Sequence, residues 1–586
     1  MKRVTIIAWC SSLVLLSYGC LPKPAKPNLA GYNQGGSGGN SEADKKPRIG
    51  QEIEKGQDAD GYGANLRCEE PETFRGFRAW RRLSNIEVQN TVSDVFGVAG
   101  IDYSQFPADI PKKEIFDTMN IEVNFVGDAR FAGYENFAKS LAAKVDVNRY
   151  FPCLASGTMC MSSSLPAFIA NAWRRPATPN DITNLMALFA DLTKDGLNNE
   201  AAARVVIQAV VLSHNFLYRS ELGTLQDDGS FILTDWELAS ALSYTIWRRP
   251  PNEDIKKMAE AGDLSKDGVI RTLATKMMND PLAKAAWKDF SGQMMDVGKI
   301  ETATKSQSPE FTALMKSQMV DEARNFIATI MFDSDKPTFK ELMTANYTTA
   351  DAALDPIYKA KSQAGKTVFT EPARRGLLGQ AGFLTAHATE SMSNPITRGA
   401  FVAERLLCLD FKGAPPTVAP AMKPGASTKS IFKEHSENAA CASCHASIDA
   451  IGFSLENFDF MGRYRIMDAG QPIVVDGLLH IDNKKIPITS SQQLFESIAN
   501  SNQAQECFVR QAFRYGFGRT EFFWRPVAAR EDQPKLSSQG ELDRCQIQSA
   551  TEKVIAMGGD LKTAVIELVS SPAFRYRLKG KPEVVK

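Results

Sequence analysis

The distribution of apolar and polar residues is typical of amphipathic helices from Arg75 onward. Apolar positions recur every three or four residues with polar positions between them, which is the period of an α-helix. Ser84 and Glu87 form a capping box at the start of one such segment, and Gly97 follows its last apolar residue. We therefore expect a helix that begins after Ser84 and ends before Gly97.

Two further segments begin with the same kind of signal. Thr234 and Glu237 form a second capping box, and Thr178 precedes a proline and then Asp181. Strand patterns are sparse, and the best lies in residues 464–479, where short β-branched runs alternate with turn residues. The pattern predicts a mostly α fold, with several helical modules in series and one small β-hairpin.

Two short motifs occur more than once. Trp80, Trp173 and Trp247 are each followed by two arginines, and segments 213–219 and 571–577 share the pattern Ser-x-x-Phe-x-Tyr-Arg. A tryptophan that anchors the end of a helix, with arginines that meet its last carbonyl groups, explains the first motif. We interpret both motifs as structural junctions rather than ligand sites.

The N-terminal residues are typical of an export signal. Two basic residues precede an apolar stretch, residues 4–16, that is too short to span a bilayer. Gly19 and Cys20 follow, and this end resembles a bacterial lipobox, in which the cysteine is lipidated; an ordinary cleavage site near Cys20 is the alternative. We predict a signal peptide over residues 1–19 and, because no aspartate follows Cys20, an outer-membrane lipoprotein on the periplasmic or cell-surface face.

Composition excludes several classes of partner. The chain has 68 basic and 68 acidic residues, so it lacks the charge excess that nucleic acid or an anionic membrane surface would attract. Its apolar share of 43% supports ordinary globular cores, and no segment after the signal is long and apolar enough to cross a membrane. We expect membrane attachment through lipid alone, and no nucleic-acid partner.

Cys441, Cys444 and His445 form the one Cys-x-x-Cys-His motif of the chain. Two thiols at this spacing attach to the vinyl groups of a haem, and the adjacent histidine is the proximal iron ligand. A zinc half-site and a reducible disulfide are the alternatives for the cysteine pair. In an exported chain the motif predicts one covalently bound haem c.

The expected organisation follows from these features. Residues 20–65 are rich in proline, glycine and polar residues, so they bury too little apolar surface to fold and are predicted to be a flexible tether after the lipidated cysteine. Five modules are expected after it: helical modules at 66–160, 161–225 and 226–350, a haem c module at 351–482, and a C-terminal helical module at 483–586.

Export also bears on the remaining cysteines. Six are left once those of the signal peptide, the lipobox and the haem motif are set aside, and an even number in an oxidising compartment favours disulfides. Buried free thiols are the alternative. Loop length favours a Cys153–Cys160 pair first and a Cys507–Cys545 pair second, and a Cys68–Cys408 pair follows by elimination.

The distal iron ligand decides what a haem can do. Methionine or histidine there gives a closed electron-transfer site, whereas an open position allows small-molecule or peroxide chemistry. His387 and Met461 are the leading candidates, and Met467 and His435 come after them. Met461 lies among aromatic residues, so core packing is its alternative role, and a structural, hydrogen-bonded histidine is the alternative for His387.

Charged residues near the motif have two possible roles each. Arg463 and Arg465 are candidates for pairing with haem propionates, with ordinary salt bridges as the alternative. Asp449, Glu456 and Asp459 are candidates for cation binding or proton relay, with helix capping or pairing with arginine as the alternative.

Several motifs together resemble a known family. They are Arg81-Arg82-Leu83-Ser84, Trp173-Arg174-Arg175-Pro176, Phe216-Leu217-Tyr218-Arg219, Glu237-Leu238-Ala239-Ser240, Asn394-Pro395-Ile396-Thr397-Arg398-Gly399, the haem motif with Asp449 and Leu455-Glu456-Asn457-Phe458-Asp459, and Arg514-Tyr515-Gly516-Phe517-Gly518-Arg519. The chain thereby resembles the multi-domain planctomycete-type cytochrome c proteins, exported bacterial proteins also common in myxobacteria. The resemblance covers residues 81–577 and implies haem and a domain order, but no particular reaction.

Two functions are open at this point. The first is an exported, lipid-anchored mono-haem c protein that transfers electrons, as a carrier or as the redox domain of an oxidoreductase with an unidentified redox partner. The second is a cell-surface binding or scaffold protein with a structural or vestigial haem site. The body is larger than an electron carrier needs, which keeps the second hypothesis in play.

Overall fold

The computed structural model describes residues 75–76, 78–109, 115–119, 126–306, 308–409, 425–436, 442–521 and 537–577. The predictions for the signal peptide, for Cys20 and for the tether lie outside these residues, as do Cys68 and Cys441. Within them the protein is mostly α-helical, as the sequence predicts. None of the helices in this part of the chain is long and apolar enough to span a bilayer.

The predicted helix starts are confirmed. Ser84 and Glu87 make both hydrogen bonds of a capping box, and the helix that they begin ends at Gly97, which has φ 64°. Thr178 and Thr234 cap their helices in the same way. Local sequence suffices at these positions because the cap satisfies backbone N–H groups that the first turn leaves without partners.

The first seven helices share one hydrophobic core. Leu83 contributes to this core from the N-terminal side and Tyr244 from the helix that follows. The helices are α1 (Asn85–Phe96), α2 (Asp128–Lys144), α3 (Val147–Tyr150), α4 (Thr158–Trp173), α5 (Pro179–Lys194), α6 (Asn199–Leu212) and α7 (His214–Leu217).

A second, larger core joins most of the remaining helices, including those around the haem motif. The helices before the motif are α8 (Asp235–Trp247), α9 (Glu253–Glu260), α10 (Val269–Met277), α11 (Pro281–Met294), α12 (Lys299–Thr302), α13 (Ala313–Asp333), α14 (Phe339–Thr344), α15 (Asp355–Tyr358), α16 (Ala381–Ala386) and α17 (Pro395–Leu406). Those from there on are α18 (Thr428–Ser436), α19 (Ala442–Phe453), α20 (Ser491–Ala499), α21 (Asn502–Phe517), α22 (Ser537–Ala556), α23 (Leu561–Ser570) and α24 (Pro572–Arg575).

Short strands form five small antiparallel sheets in the described residues, where the sequence predicted one hairpin. Most of these strands are too short for an alternating pattern to mark them, so only the pairing of distant segments defines them. The sheets pair β1 (Ala79–Arg82) with β2 (Tyr218–Glu221), β4 (Phe231–Ile232) with both β3 (Thr224–Leu225) and β11 (Tyr576–Arg577), β5 (Tyr347–Thr348) with β6 (Thr367–Val368), β7 (Met467–Asp468) with β8 (Gln471–Pro472), and β9 (Gly477–Ile481) with β10 (Lys484–Ile488).

Two of the three Trp-Arg-Arg motifs end helices. Trp173 and Trp247 are the last residues of α4 and α8, and the arginine after each adopts a left-handed conformation at the helix end. Arg174 is buried and donates hydrogen bonds to carbonyl groups at the end of α7. Trp80 differs, because it lies in strand β1. The Trp-Arg-Arg motif therefore marks the end of a helix only where the preceding segment is helical.

The second repeated motif forms two similar structures. In each copy a one-turn helix runs directly into a short strand, α7 into β2 and α24 into β11. The final arginines of the two copies, Arg219 and Arg577, both reach the buried carboxylate of Glu221, at 3.7 Å and 2.8 Å. Strand β1 adds Arg81, whose Nε lies 2.9 Å from the same carboxylate. The motif thus brings distant parts of the chain to one carboxylate, the Glu221 junction.

The disulfides agree with one predicted pair and correct the other two. Cys153 is bonded to Cys160, as the short loop predicts. Cys408 is bonded to Cys507, so neither the Cys507–Cys545 pair nor the Cys68–Cys408 pair is correct. Loop length misled the prediction because the end of α17 packs beside α21, which brings two residues 99 positions apart together.

Candidate functional site

Helix α19 carries the haem-attachment motif at its start. Cys444 and His445 lie in its first turn, and Cys441 directly precedes the first described residue of the helix. The His445 side chain is inside the protein, since only 7% of the residue is exposed. The proximal-ligand candidate therefore sits on a rigid element rather than on a loop.

Helix α17 holds α19 through two glycines. A Cβ atom on Gly399 would lie 2.2 Å from the carbonyl oxygen of Ile448, and a Cβ atom on Gly452 would lie 1.9 Å from that of Pro395. Both distances are far shorter than van der Waals contact, so any larger residue would push the two helices apart. The segment Asn394–Gly399, noted above as a family-like motif, thus positions α19, the helix that carries the Cys-x-x-Cys-His motif.

A buried arginine fixes the chain that follows α19. Arg398 is fully buried and donates hydrogen bonds of 2.7–3.1 Å to the carbonyl oxygens of Leu455, Phe458, Asp459 and Leu384. Burial lowers the pKa of Arg398 to about 10. The four carbonyl groups accept hydrogen bonds from the two terminal nitrogens of a cation that water cannot reach, and they tie the segment after α19 to α16.

Asp449 is the hydrogen-bond partner of His445. Its Oδ1 lies 2.8 Å from Nδ1 of the imidazole. An ionised carboxylate can only accept a hydrogen bond, so Nδ1 carries the proton and Nε2 is the nitrogen through which this ring would bind iron. The sequence signal for this pair was the four-residue spacing, which places two side chains on the same face of a helix. The sequence instead predicted cation binding or proton relay for Asp449, with helix capping or pairing with an arginine as the alternative.

The neighbouring carboxylates pair with arginines. Arg463 lies 2.7 Å from Asp459, and Arg465 lies 2.9 Å from the buried Glu456 and 2.7 Å from Asp468. Both arginines that were candidates for haem propionates are therefore engaged in salt bridges, which was their alternative role. Glu456 and Asp459 serve in the same pairs.

His387 lies at the end of α16, in an apolar pocket. Its Nε2 is 3.3 Å from the carbonyl oxygen of Met295, its ring packs against Phe383 and Phe401, and its Nδ1 has no hydrogen-bond partner in the described structure. Burial lowers the pKa of His387 to about 3. Phe401 is two residues beyond Gly399, about 200° around α17, so the His387 ring lies across α17 from α19.

Met461 lies in the second hydrophobic core and is fully buried. Its N–H donates a 2.8 Å hydrogen bond to Asp459, which shapes the turn after α19. Ile448 and Ile451 of α19 belong to the same core. Burial in this core fits the core-packing alternative, and ligation by Met461 stays a prediction. Met467 is 46% exposed, and the His435 side chain lies outside the description.

The residues present fit a haem c. No group of three or more His, Cys, Asp and Glu side chains that could hold a bare metal ion occurs in the described ranges. A haem c needs less from the protein, because the porphyrin supplies four iron ligands and the thioether bonds hold the macrocycle. A buried imidazole with a carboxylate on its other nitrogen is the kind of donor that metal sites use.

Four family models match the chain in series. They are PSD3 (protein of unknown function, DUF1587) at residues 81–147, PSD5 (protein of unknown function, DUF1595) at 160–221, PSD4 (protein of unknown function, DUF1592) at 233–359 and PSCyt3 (protein of unknown function, DUF1588) at 374–468. The last range contains α19 and both leading distal candidates. No curated protein and no solved structure matches the chain.

Proposed function

This chain belongs to the planctomycete cytochrome c-type domain families, four of which follow one another along it, and from that premise we propose that it is an exported, lipid-anchored protein with one haem c. Its function is electron transfer, either as a carrier or as the redox domain of an oxidoreductase. Its redox partner is unidentified.

One observation carries this proposal: the histidine of the Cys-x-x-Cys-His motif is buried in a rigid helix and held by a carboxylate. His445 is 7% exposed, and its Nδ1 is bonded to Asp449. A surface histidine in a chance match would need neither burial nor a fixed tautomer.

The roles of the residues follow from this arrangement. Cys441 and Cys444 would hold the haem by thioether bonds, and His445 would bind its iron. When bound, the haem supplies one-electron redox chemistry. Asp449 fixes the tautomer and the direction of the imidazole, while α17 shields one side of α19 from water.

The placement of His387 across α17 favours Met461 as the distal ligand. We expect a six-coordinate, low-spin haem that Met461→Ala converts to a high-spin form and that His387→Ala leaves unchanged. Absorption spectra of the oxidised and reduced proteins measure this. A high-spin spectrum of the unaltered protein would contradict the closed site and favour small-molecule or peroxide chemistry.

Covalent attachment is tested by removing both thiols. The chain is produced with cytochrome c maturation machinery, denatured, separated on a gel and stained for haem. We expect staining of the unaltered protein and none of the variant with Cys441→Ala and Cys444→Ala. A pyridine haemochrome spectrum measures the number of haems, for which we expect one. Staining that persists in the double variant would refute the proposed attachment.

Export and lipidation depend on residues 1–65, which lie outside the described structure. The short apolar stretch followed by Gly19 and Cys20 supports them. We expect Cys20→Ser to abolish metabolic labelling with a fatty acid and to release the protein from membranes. Labelling that survives the substitution would refute the lipobox interpretation.

A cell-surface binding function is the second candidate, because the described structure has clefts far along the chain from the haem motif. One cleft, of about 660 Å³, runs between the first core and the helices after Trp247 and is lined by Asp94, Tyr150 and Arg249 among others. A smaller one, of about 350 Å³, includes Trp80. A haem that cannot be reduced and reoxidised reversibly in the intact protein would favour this function over electron transfer.

A further inference from the structure

We propose that Asp449 is a positioning residue that strengthens the His445 imidazole as an iron donor and thereby lowers the reduction potential of the site. This inference rests on the proposed haem c site and specifies how the protein regulates it. The sequence offered Asp449 only as a candidate for cation binding, proton relay, helix capping or pairing with arginine. The inference follows from the hydrogen bond that joins Asp449 to His445 in the structure.

The geometry fixes both ends of the interaction. His445 and Asp449 are one turn apart on α19, and the 2.8 Å contact joins Nδ1 to Oδ1. Helix α19 cannot shift easily, because Gly399 and Gly452 bring its backbone against that of α17. The carboxylate therefore holds the ring in one orientation and in the tautomer with the proton on Nδ1.

The charge of Asp449 is available to the imidazole. Asp459, Asp468 and Glu456, the carboxylates discussed above, each face an arginine, whose positive charge offsets theirs. Asp449 differs: in the described part of the chain its only ion-pair partner is His445. Its side chain is 23% exposed and that of His445 is 8% exposed, so water screens the interaction incompletely.

The hydrogen bond from His445 to Asp449 should affect the reduction potential of the iron through charge. A carboxylate that accepts a hydrogen bond from the Nδ1–H group increases electron density on the ring and makes Nε2 a stronger donor. Reduction of Fe(III) to Fe(II) adds one electron from an external reductant and lowers the positive charge of the site by one. A stronger donor and a nearby negative charge both favour Fe(III), so the reduction potential falls.

The first test is Asp449→Asn in the full-length protein matured with haem. The amide has nearly the same shape and can still accept a hydrogen bond, but it carries no charge. We expect a more positive midpoint potential, and a tenfold change in the Fe(III)/Fe(II) ratio at a fixed electrode potential would correspond to about 59 mV. Asp449→Glu, which keeps the charge, should restore much of the original potential.

A matched control removes the same charge elsewhere in this region. Asp476 lies on the surface with its side chain 68% exposed and pairs with Lys429. Because water and salt screen an exposed charge, Asp476→Asn should leave the midpoint potential nearly unchanged. Equal shifts in the two asparagine variants would mean that only net charge matters, and would overturn the role of Asp449.

NMR of the haem-free protein tests the inference even if a variant does not incorporate haem. In haem-free protein, nitrogen NMR of labelled histidine should show the proton of His445 on Nδ1, and Asp449→Ala should shift the ring toward the other tautomer. A proton on Nε2 in the unaltered protein would refute the inference. Failure of the unaltered protein to bind haem would instead refute the proposed function, whereas a loaded Asp449→Asn variant with an unchanged potential would refute only this inference.

Discussion

The Glu221 junction and the contact between α17 and α19 hold distant segments together by opposite means. At the junction, a carboxylate that is 2% exposed faces Arg81, Arg219 and Arg577. Burial alone would raise the pKa of the Glu221 carboxyl, but the three guanidinium groups lower it to about 2. Buried charge thus joins β1, β2 and β11.

The contact between α17 and α19 uses close backbone packing instead. Gly399 and Gly452 allow carbonyl groups of the partner helix to approach where a Cβ atom would otherwise lie. The two regions should therefore respond to different perturbations. Removal of a charge should destabilise the Glu221 junction, whereas an added methyl group should push α19 away from α17.

The largest effect is expected from Glu221→Gln. It would leave the buried guanidinium groups without their counter-charge, and loss of one partner of a buried ion pair costs about 3–5 kcal/mol of unfolding free energy. Denaturant unfolding measures this. Asp263→Asn, at an exposed pair with Lys266, is the control and should cost less than about 1 kcal/mol. A loss at Glu221 as small as that of the control would show that the junction does not depend on charge.

The Glu221 junction also predicts that the stability of the protein falls in acid. A carboxyl group with a lowered pKa contributes stability that is fully present above its unfolded pKa, near 4.3, and is lost as pH falls toward 2. The Glu221→Gln variant should therefore lose less stability than the unaltered protein between those values. Equal losses in both would assign the acid dependence to other groups.

The disulfide at the end of α17 should matter more than the one at the start of α4. Cys408 and Cys507 are 99 residues apart, whereas Cys153 and Cys160 are 7 apart, and a longer closed loop restricts the unfolded chain more. Replacement of Cys408 and Cys507 by serine should lower the free energy of unfolding by about 2–4 kcal/mol, and replacement of Cys153 and Cys160 should lower it less. Thermal unfolding of both double variants compares them, and the reverse order would contradict this reasoning.

A smaller effect on stability, but a specific one on haem, is expected from Gly452→Ala. The added methyl group would meet the Pro395 carbonyl, and overpacking of this kind costs about 1–3 kcal/mol. Haem incorporation per protein should fall because α19 moves away from α17. Gly298→Ala is the control, since nothing lies within 4 Å of the new atom. Normal haem content and stability in Gly452→Ala would disprove the role of this contact.

The smallest effect concerns His387, beside α17. Its pKa is lowered by burial to about 3, so the unfolded chain binds more protons than the folded one between pH 3 and 6.5, and stability falls as pH decreases through that range. Between pH 6 and 5 the loss should be about 1 kcal/mol, and His387→Gln should reduce it. Lys299, Arg398 and Arg405 also disfavour the protonated ring. An identical pH profile in the variant would contradict this role of His387.

Local sequence predicted the elements whose signals act within one or two turns. The caps at Ser84, Thr178 and Thr234 depend on hydrogen bonds between residues three positions apart, so the sequence alone located those helices. It failed at Trp80, where the same Trp-Arg-Arg motif lies in a strand, because pairing with β2 overrides the local pattern. It also failed to pair Cys408 with Cys507, since that depends on how α17 and α21 pack.

The sequence by itself determined the helical class, the family and the position of the haem-attachment motif. These follow from residue types at short spacings, where covalent geometry and helix periodicity leave few alternatives. Tertiary structure decided that two glycines would bring α17 against α19 and that Arg81, Arg219 and Arg577 would converge on Glu221. Contacts between residues far apart in the sequence depend on how the helices and strands pack, and short spacings in the sequence do not determine that packing.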